Sequence, residues 1–153
     1  MVYFSQLLLW FMVFVLFPAV PAIECNTAQI YAFRAPGINY FAIDCSDPNH
    51  VRIQHYNANL AAQRWTIQCG STTNLFYLVN VINGYVLNVN RTAPHYAIVS
   101  EKDGSLWQQW EIPSDTFVNE AIRSSLAING SSSTAGPALF LSTAAQIWEF
   151  IKL

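Results

Sequence analysis

The sequence predicts an all-β fold made of three repeats of four short strands, closed as a barrel or packed as a sandwich. Two observations carry this. Gln-x-Trp recurs as Gln63-Arg64-Trp65, Gln108-Gln109-Trp110 and Gln146-Ile147-Trp148. The spacing of the three tryptophans gives a period of roughly 40 residues, the mark of a repeat architecture. Between these motifs, short segments alternate apolar with polar residues and turn signals recur at short, regular intervals, the pattern of half-buried strands. No window after Ala22 holds a helical period.

Each unit reads the same way. The opening strands are Ile30 to Phe33, Phe76 to Val81 and Thr116 to Ile122. Turns follow at Ala35-Pro36-Gly37, Ile82-Asn83-Gly84 and Arg123-Ser124-Ser125, where Gly, Pro, Asn and Ser supply turn conformations. Second strands are Phe41 to Cys45, Tyr85 to Val89 and Ser125 to Asn129; third strands are His50 to Tyr56, Tyr96 to Ser100 and Ala138 to Ser142. The Gln-x-Trp segment is the fourth. One unit has too little apolar area to fold alone, whereas three pool their faces, and closure removes the sheet edges. Trp65, Trp110 and Trp148 are expected at equivalent core positions, each burying ~150–250 Å². The Gln before each is expected to turn its amide onto backbone groups that the loop leaves unpaired.

The segment ahead of Ile23 stands apart. Residues 1 to 23 carry no charged side chain, and Leu7 to Phe17 is an apolar run of 11, short for a membrane span. Pro18 and Pro21 follow, and Val20 with Ala22 makes a small-x-small pattern. We read residues 1–22 as a signal peptide cut after Ala22, although the run lacks a Lys or Arg before it; an uncleaved anchor is the alternative. Residues 23–153 form one domain, with repeats at about 25–70, 71–113 and 114–153. Its 7 basic and 9 acidic residues leave a net charge of −2, which offers no basic face for nucleic acid and no polybasic membrane patch.

Three cysteines, Cys25, Cys45 and Cys69, leave one thiol over after a single disulfide forms in an oxidising compartment. Cys25 precedes the first strand and Cys69 ends the fourth strand of the same unit, so antiparallel pairing of those strands brings the two together. A Cys25–Cys69 bridge is expected, worth roughly 3–4 kcal/mol by loop entropy, with Cys45 buried and free. The two other pairings remain open at this stage. No Cys-x-x-Cys occurs, and the histidines lack metal-ligand spacing. Asn90-Arg91-Thr92 and Asn129-Gly130-Ser131 are glycosylation sequons.

Three Gln-x-Trp motifs in register, each following a Leu-Asp-Val-like strand, resemble the ricin B-chain-type lectins, the (QxW)3 β-trefoil family. The likeness covers residues 23–153 and is similar to the stand-alone fungal members. It implies a β-trefoil with pseudo-threefold symmetry and one shallow sugar pocket per unit. In such a pocket, an Asp on the second strand takes two neighbouring hydroxyls of a galactose- or N-acetylgalactosamine-type sugar, and an aromatic after the third strand covers the ring. The chemistry is sound in itself. A carboxylate makes strong charge-assisted bonds to vicinal hydroxyls, and an aromatic face covers C–H groups.

Tested unit by unit, the first carries Asp44, Gln54, Tyr56, Asn57 and Gln63, with His50 or His55 near the rim and Asn57 or Asn59 as a replacement for the donor missing at Ala62. Ala62 stands where the family often has Asn, which removes one donor. In the second unit the Asp position reads Asn88, the aromatic position falls near Glu101, and Trp107 precedes Gln108. In the third the positions read Ala127 and Ser142. The first unit alone is therefore expected to hold a working site. The implied function is a secreted, non-catalytic lectin with no cofactor and with glycans or glycoproteins as partners, oligomers being possible. No nucleic-acid binding is expected, and no membrane insertion after cleavage. The alternative is a protease inhibitor or protein-binding module that uses the loops Ala35 to Tyr40, Thr72 to Leu75 or Ser131 to Pro137. An enzyme is disfavoured, because no nucleophile elbow, phosphate loop or paired His and Cys motif is present.

Overall fold

A computed structural model describes residues 23, 25–37, 41–47, 49, 51–128 and 139–153, for Phe41 the backbone only. Twelve strands account for its regular structure. They are β1 (Asn26–Arg34), β2 (Phe41–Asp44), β3 (Arg52–His55), β4 (Trp65–Cys69), β5 (Phe76–Asn80) and β6 (Val86–Val89) in the first half. The second half holds β7 (Ala97–Ser100), β8 (Trp110–Glu111), β9 (Val118–Asn119), β10 (Ser124–Ile128), β11 (Leu139–Ser142) and β12 (Glu149–Lys152).

Six of these strands close a barrel. β1 pairs with β4, β4 with β5, β5 with β8 and β8 with β9, all antiparallel. The Thr116–Ile147 bridge and the bond from Trp148 N–H to Asp115 C=O (2.8 Å) join the last unit, and β12 returns to β1 from Tyr31 opposite Lys152 to Arg34 opposite Glu149. The other six strands are three hairpins, β2–β3, β6–β7 and β10–β11. The hairpins meet each other at one end of the barrel. Val51 N–H donates to Ala97 C=O, and Leu139 N–H donates to Val51 C=O, with all three residues buried. This is the β-trefoil plan.

The threefold relation is visible in single hydrogen bonds. The indole N–H of Trp65 donates to Ile43 C=O (3.3 Å), that of Trp110 to Leu87 C=O (3.0 Å) and that of Trp148 to Leu126 C=O (3.3 Å). The three tryptophans are at most 1% exposed. A buried indole needs an acceptor, and the same carbonyl meets it in each unit. Phe33 on β1, Leu78 on β5 and Phe117 just before β9 fill the barrel between them. Phe33 meets Trp65 at 6.3 Å and 33°, and Phe117 meets Trp148 at 6.2 Å and 34°.

Several element boundaries differ from expectation for local reasons. Gln63 and Gln108 lie outside the strands, at the ends of 3₁₀ turns Ala61–Gln63 and Leu106–Gln108. The chain must turn inward before the tryptophan can enter the core, so β4 and β8 begin at Trp65 and Trp110. The third opening strand shrinks to Val118–Asn119, because Asn119 breaks it. Its side-chain carbonyl takes Ala121 N–H (3.1 Å), and its amide donates to Trp107 C=O (2.9 Å). Ser124, expected in a turn, already belongs to β10.

Cys25 and Cys69 form a disulfide with Cα atoms 5.1 Å apart, and Cys45 is free and buried. Beyond Cys69 the backbone passes itself closely. Gly70 N–H lies 2.6 Å from Leu75 C=O, and a Cβ on Gly70 would meet that oxygen at 2.6 Å. Only glycine fits there.

Candidate functional site

Asp44 closes β2 in the first unit and Gln63 closes the 3₁₀ turn before Trp65. The Trp65–Ile43 bond sets the distance between them. Asp44 Oδ1 accepts Ser46 N–H (2.8 Å) and Oδ2 accepts from Gln63 Nε2 (3.1 Å). The other Nε2 hydrogen goes to His55 C=O (2.8 Å), and Gln63 Oε1 accepts Asn57 N–H (2.8 Å). The Gln63 amide thus fastens the end of β2, the end of β3 and the turn after it. Asp44 is 1% exposed and forms part of an open cavity of about 610 Å³. The carboxylate sits at its floor, each oxygen holding one protein donor and keeping a lone pair for another.

The same cavity gathers Gln54, Tyr56, Asn57 and Gln63. All five residues expected at the first-unit site therefore face one space. Gln63 meets backbone groups with its amide, as expected of the Gln before each tryptophan, and holds Asp44 besides. Both its amide hydrogens are engaged within the protein, so it orients the carboxylate and the turn. Ser46, Ala58 and Leu60 also line the cavity. Of these, Ser46 had a readable signal, since Asp-x-Ser after a strand suits an Asx turn. Leu60 had none. Asn59 lies on the turn, its N–H donated to Asn57 Oδ1 (2.9 Å). Asn80, fully buried, gives its amide to Ala62 C=O (3.1 Å) and Arg64 C=O (3.0 Å) and so braces the turn from behind, outside the cavity. His50 is outside the described residues.

The second unit repeats the frame without the anchor. Gln108 Nε2 donates to Glu101 C=O (2.7 Å) and Ser100 Oγ (3.0 Å), and Oε1 accepts Asp103 N–H (2.8 Å). Asn88 occupies the place of Asp44, with Nδ2 on Ser100 Oγ (2.9 Å) and Oδ1 on Val89 N–H (2.7 Å). Each of its polar atoms holds one partner within the hairpin, and it carries no charge. Strand pairing makes Ser100 the counterpart of Gln54, so the aromatic position is Lys102 and not Glu101. The Lys102 ammonium stands 3.9 Å from the centre of the Tyr77 ring. Arg91 reaches Asp103 Oδ2 (2.9 Å) and Ser105 Oγ (3.3 Å), tying the hairpin to the loop that corresponds to the cavity rim. The Ser105 hydroxyl and N–H, and then Arg91, hold the Asp103 carboxyl below its ordinary range.

In the third unit Ala127 replaces the carboxylate, Ser142 is the counterpart of Gln54, and the aromatic position is Ala144. Gln146 turns to Ile147 C=O (3.0 Å), so the amide frame is absent as well.

Asn90 lies on the turn after β6, where its Oδ1 accepts from the Thr92 hydroxyl (3.0 Å). Asn129 is outside the described residues, as are residues 1–22 and the loop 131–137. A second cavity of about 370 Å³ lies between the loop at Thr73 and Asn74 and the segment Glu111 to Pro113. Among the described residues no group of three His, Cys, Asp or Glu side chains could hold a metal ion. No helix there is long and apolar enough to cross a membrane.

The barrel, the three indole bonds and the amide-framed cavity define a β-trefoil of the Gln-x-Trp kind. A family model described as ricin-type beta-trefoil lectin domain-like matches residues 61–148, and the chain belongs to that family. Among solved structures it is similar to a designed threefold-symmetric protein, ThreeFoil (17% identity, 81% of this chain and 99% of that one, TM-score 0.69). It is also similar to a Polyporus squamosus lectin bound to a human-type influenza-binding epitope (16% identity, 81% and 49%, TM-score 0.68). A third likeness is to the C-half of an earthworm R-type lectin in complex with GalNAc (12% identity, 82% and 99%, TM-score 0.63). At these identities the likenesses carry the fold. No curated protein matches the chain.

Proposed function

We propose that this protein is a secreted, non-catalytic lectin that takes galactose- or N-acetylgalactosamine-type sugars through one site, in the first unit. One observation carries the reading: Asp44 stands at the floor of an open cavity beside Tyr56, with a lone pair left on each oxygen. Burying a carboxylate is costly for folding. Presenting one to vicinal hydroxyls gives that cost a use. The second and third units, with Asn88 and Ala127 in its place, lack the anchor. Among the described residues Asp44 is also the single acid lining the cavity, whereas glycoside hydrolysis works through a pair of carboxyls. Glycans and glycoproteins are the partners this chemistry suits.

A lone shallow site binds at ~0.1–1 mM, about −4 to −5.5 kcal/mol, so useful avidity comes from clustered targets or oligomers. Titration calorimetry with galactose and N-acetylgalactosamine tests the reading. Binding that disappears in Asp44→Asn supports it, and no heat from either sugar at tens of millimolar overturns it.

The apolar run Leu7 to Phe17, the Cys25–Cys69 bridge and the Asn90 sequon support export through an oxidising compartment. The exported protein should begin at Ile23 and carry a glycan on Asn90. N-terminal sequencing that returns Met1 would remove that part of the proposal.

A further inference from the structure

The turn from Asn57 to Leu60 differs from its counterpart in the second unit. The carbonyls of His55 and Glu101 accept the same Gln amide, yet the path from His55 to Gln63 is one residue longer than the path from Glu101 to Gln108. The added residue allows Leu60 N–H to close onto Asn57 C=O (2.9 Å). It also places the Leu60 side chain, 39% exposed, on the cavity wall. A leucine beside a carboxylate floor gains nothing from water. Three residues earlier, Asn57 Oδ1 is held by Asn59 N–H (2.9 Å). That bond fixes the amide and leaves Nδ2 as the group offered to the cavity.

One short turn therefore presents a hydrogen-bond donor and an aliphatic surface side by side. The acetamido group is the complement: its carbonyl accepts a hydrogen bond, and its methyl is better buried than solvated. We infer that the Asn57–Leu60 turn is a specificity determinant that selects N-acetylated hexoses over the parent hexose. Neither residue holds the vicinal hydroxyls, which fall to Asp44. The inference rests on the lectin reading given above.

The test is calorimetry with galactose and N-acetylgalactosamine on the full chain, the Leu60→Ala and Asn57→Asp variants, and Asp44→Asn. Asn57→Asp keeps the oxygen that holds Asn59 N–H and removes the donor, so the turn survives. The unaltered protein should prefer N-acetylgalactosamine by roughly tenfold, the worth of one buried methyl group with a hydrogen bond. Leu60→Ala should remove most of that preference, weakening N-acetylgalactosamine by a larger factor than galactose. Asn57→Asp should lower it in the same direction, and Asp44→Asn should abolish binding of both sugars. Equal affinity for the two sugars, or a Leu60→Ala loss shared equally by both, overturns this inference and leaves the lectin reading standing. Binding of neither sugar by the unaltered protein overturns both.

Discussion

Asp44 and Cys45 are neighbours in the chain that serve opposite faces of the sheet. Asp44 faces the cavity and Cys45 the core, 3% exposed. Replacing Asp44 by Asn removes a buried charge and one bond to Gln63, effects of opposite sign. Stability by urea denaturation should stay within about 1 kcal/mol of the unaltered protein, while sugar binding is lost. Cys45 behaves differently. Burial, and then the Asp44 charge, push its thiol up to about 12, well above the unfolded range near 8.5. The folded state keeps the proton that the unfolded chain gives up. Its contribution to stability is therefore full below about pH 8.5 and is lost as pH rises from there toward 12. Val89 fills the equivalent place in the second unit, so Cys45→Val should fold as well and show a shallower loss of stability between pH 9 and 11. A matched urea titration of the two proteins across that range checks this. The thiol should also resist iodoacetamide at pH 8 until the protein is unfolded.

The three Gln-x-Trp segments are alike in sequence and unlike in structure. Gln63 and Gln108 each make three hydrogen bonds to the loop around them, while Gln146 bonds only its neighbour's carbonyl. Asn80 and Asn119 clamp the first two segments from the following strand. By the same register, Ala35 stands in that place against the third. Gln63→Ala and Gln108→Ala should each cost about 2–3 kcal/mol, and Gln146→Ala less than about 0.5 kcal/mol, as read from denaturant midpoints. An equal cost at all three positions would show that the Gln acts through something other than these bonds. The turns between strands make the same point. Gly84 and Arg123 donate to Asn80 and Asn119 through the same bond (2.9 Å) with φ of 72° and 52°. The third unit accepts a left-handed arginine, held by Glu111 and Glu120, where the second uses glycine.

Across the molecule, each barrel strand joins two units, so no unit closes its own core. The disulfide adds a covalent link within the first unit that spans 44 residues. Reduction, or Cys25→Ser with Cys69→Ser, should cost about 4 kcal/mol by loop entropy. That lowers the melting temperature by about 10 °C for a domain of this size, as calorimetry would show. The indole bonds, strand pairings and cavity do not pass through it, so sugar binding at about 20 °C, below the lowered melting point, should persist in the variant.

The Gln-x-Trp period and the alternation of short strands determined the architecture, because threefold closure needs the same wedge at the same spacing and the residues that make it are written in the chain. The Cys25–Cys69 pairing was legible because strand ends in one unit must meet, and the grouping of Asp44, Gln54, Tyr56 and Asn57 because the resemblance to the ricin B-chain-type lectins implied it. The tertiary structure alone decided how those side chains are used. That the Gln63 amide holds Asp44 as well as two backbone groups is seen only in three dimensions. The aromatic positions of the second and third units shifted to Lys102 and Ala144, since register depends on loop lengths that spacing does not reveal. Leu60 was invisible for a related reason. A single inserted residue changes which side chain faces a cavity, and periodicity carries no record of the direction in which a loop turns.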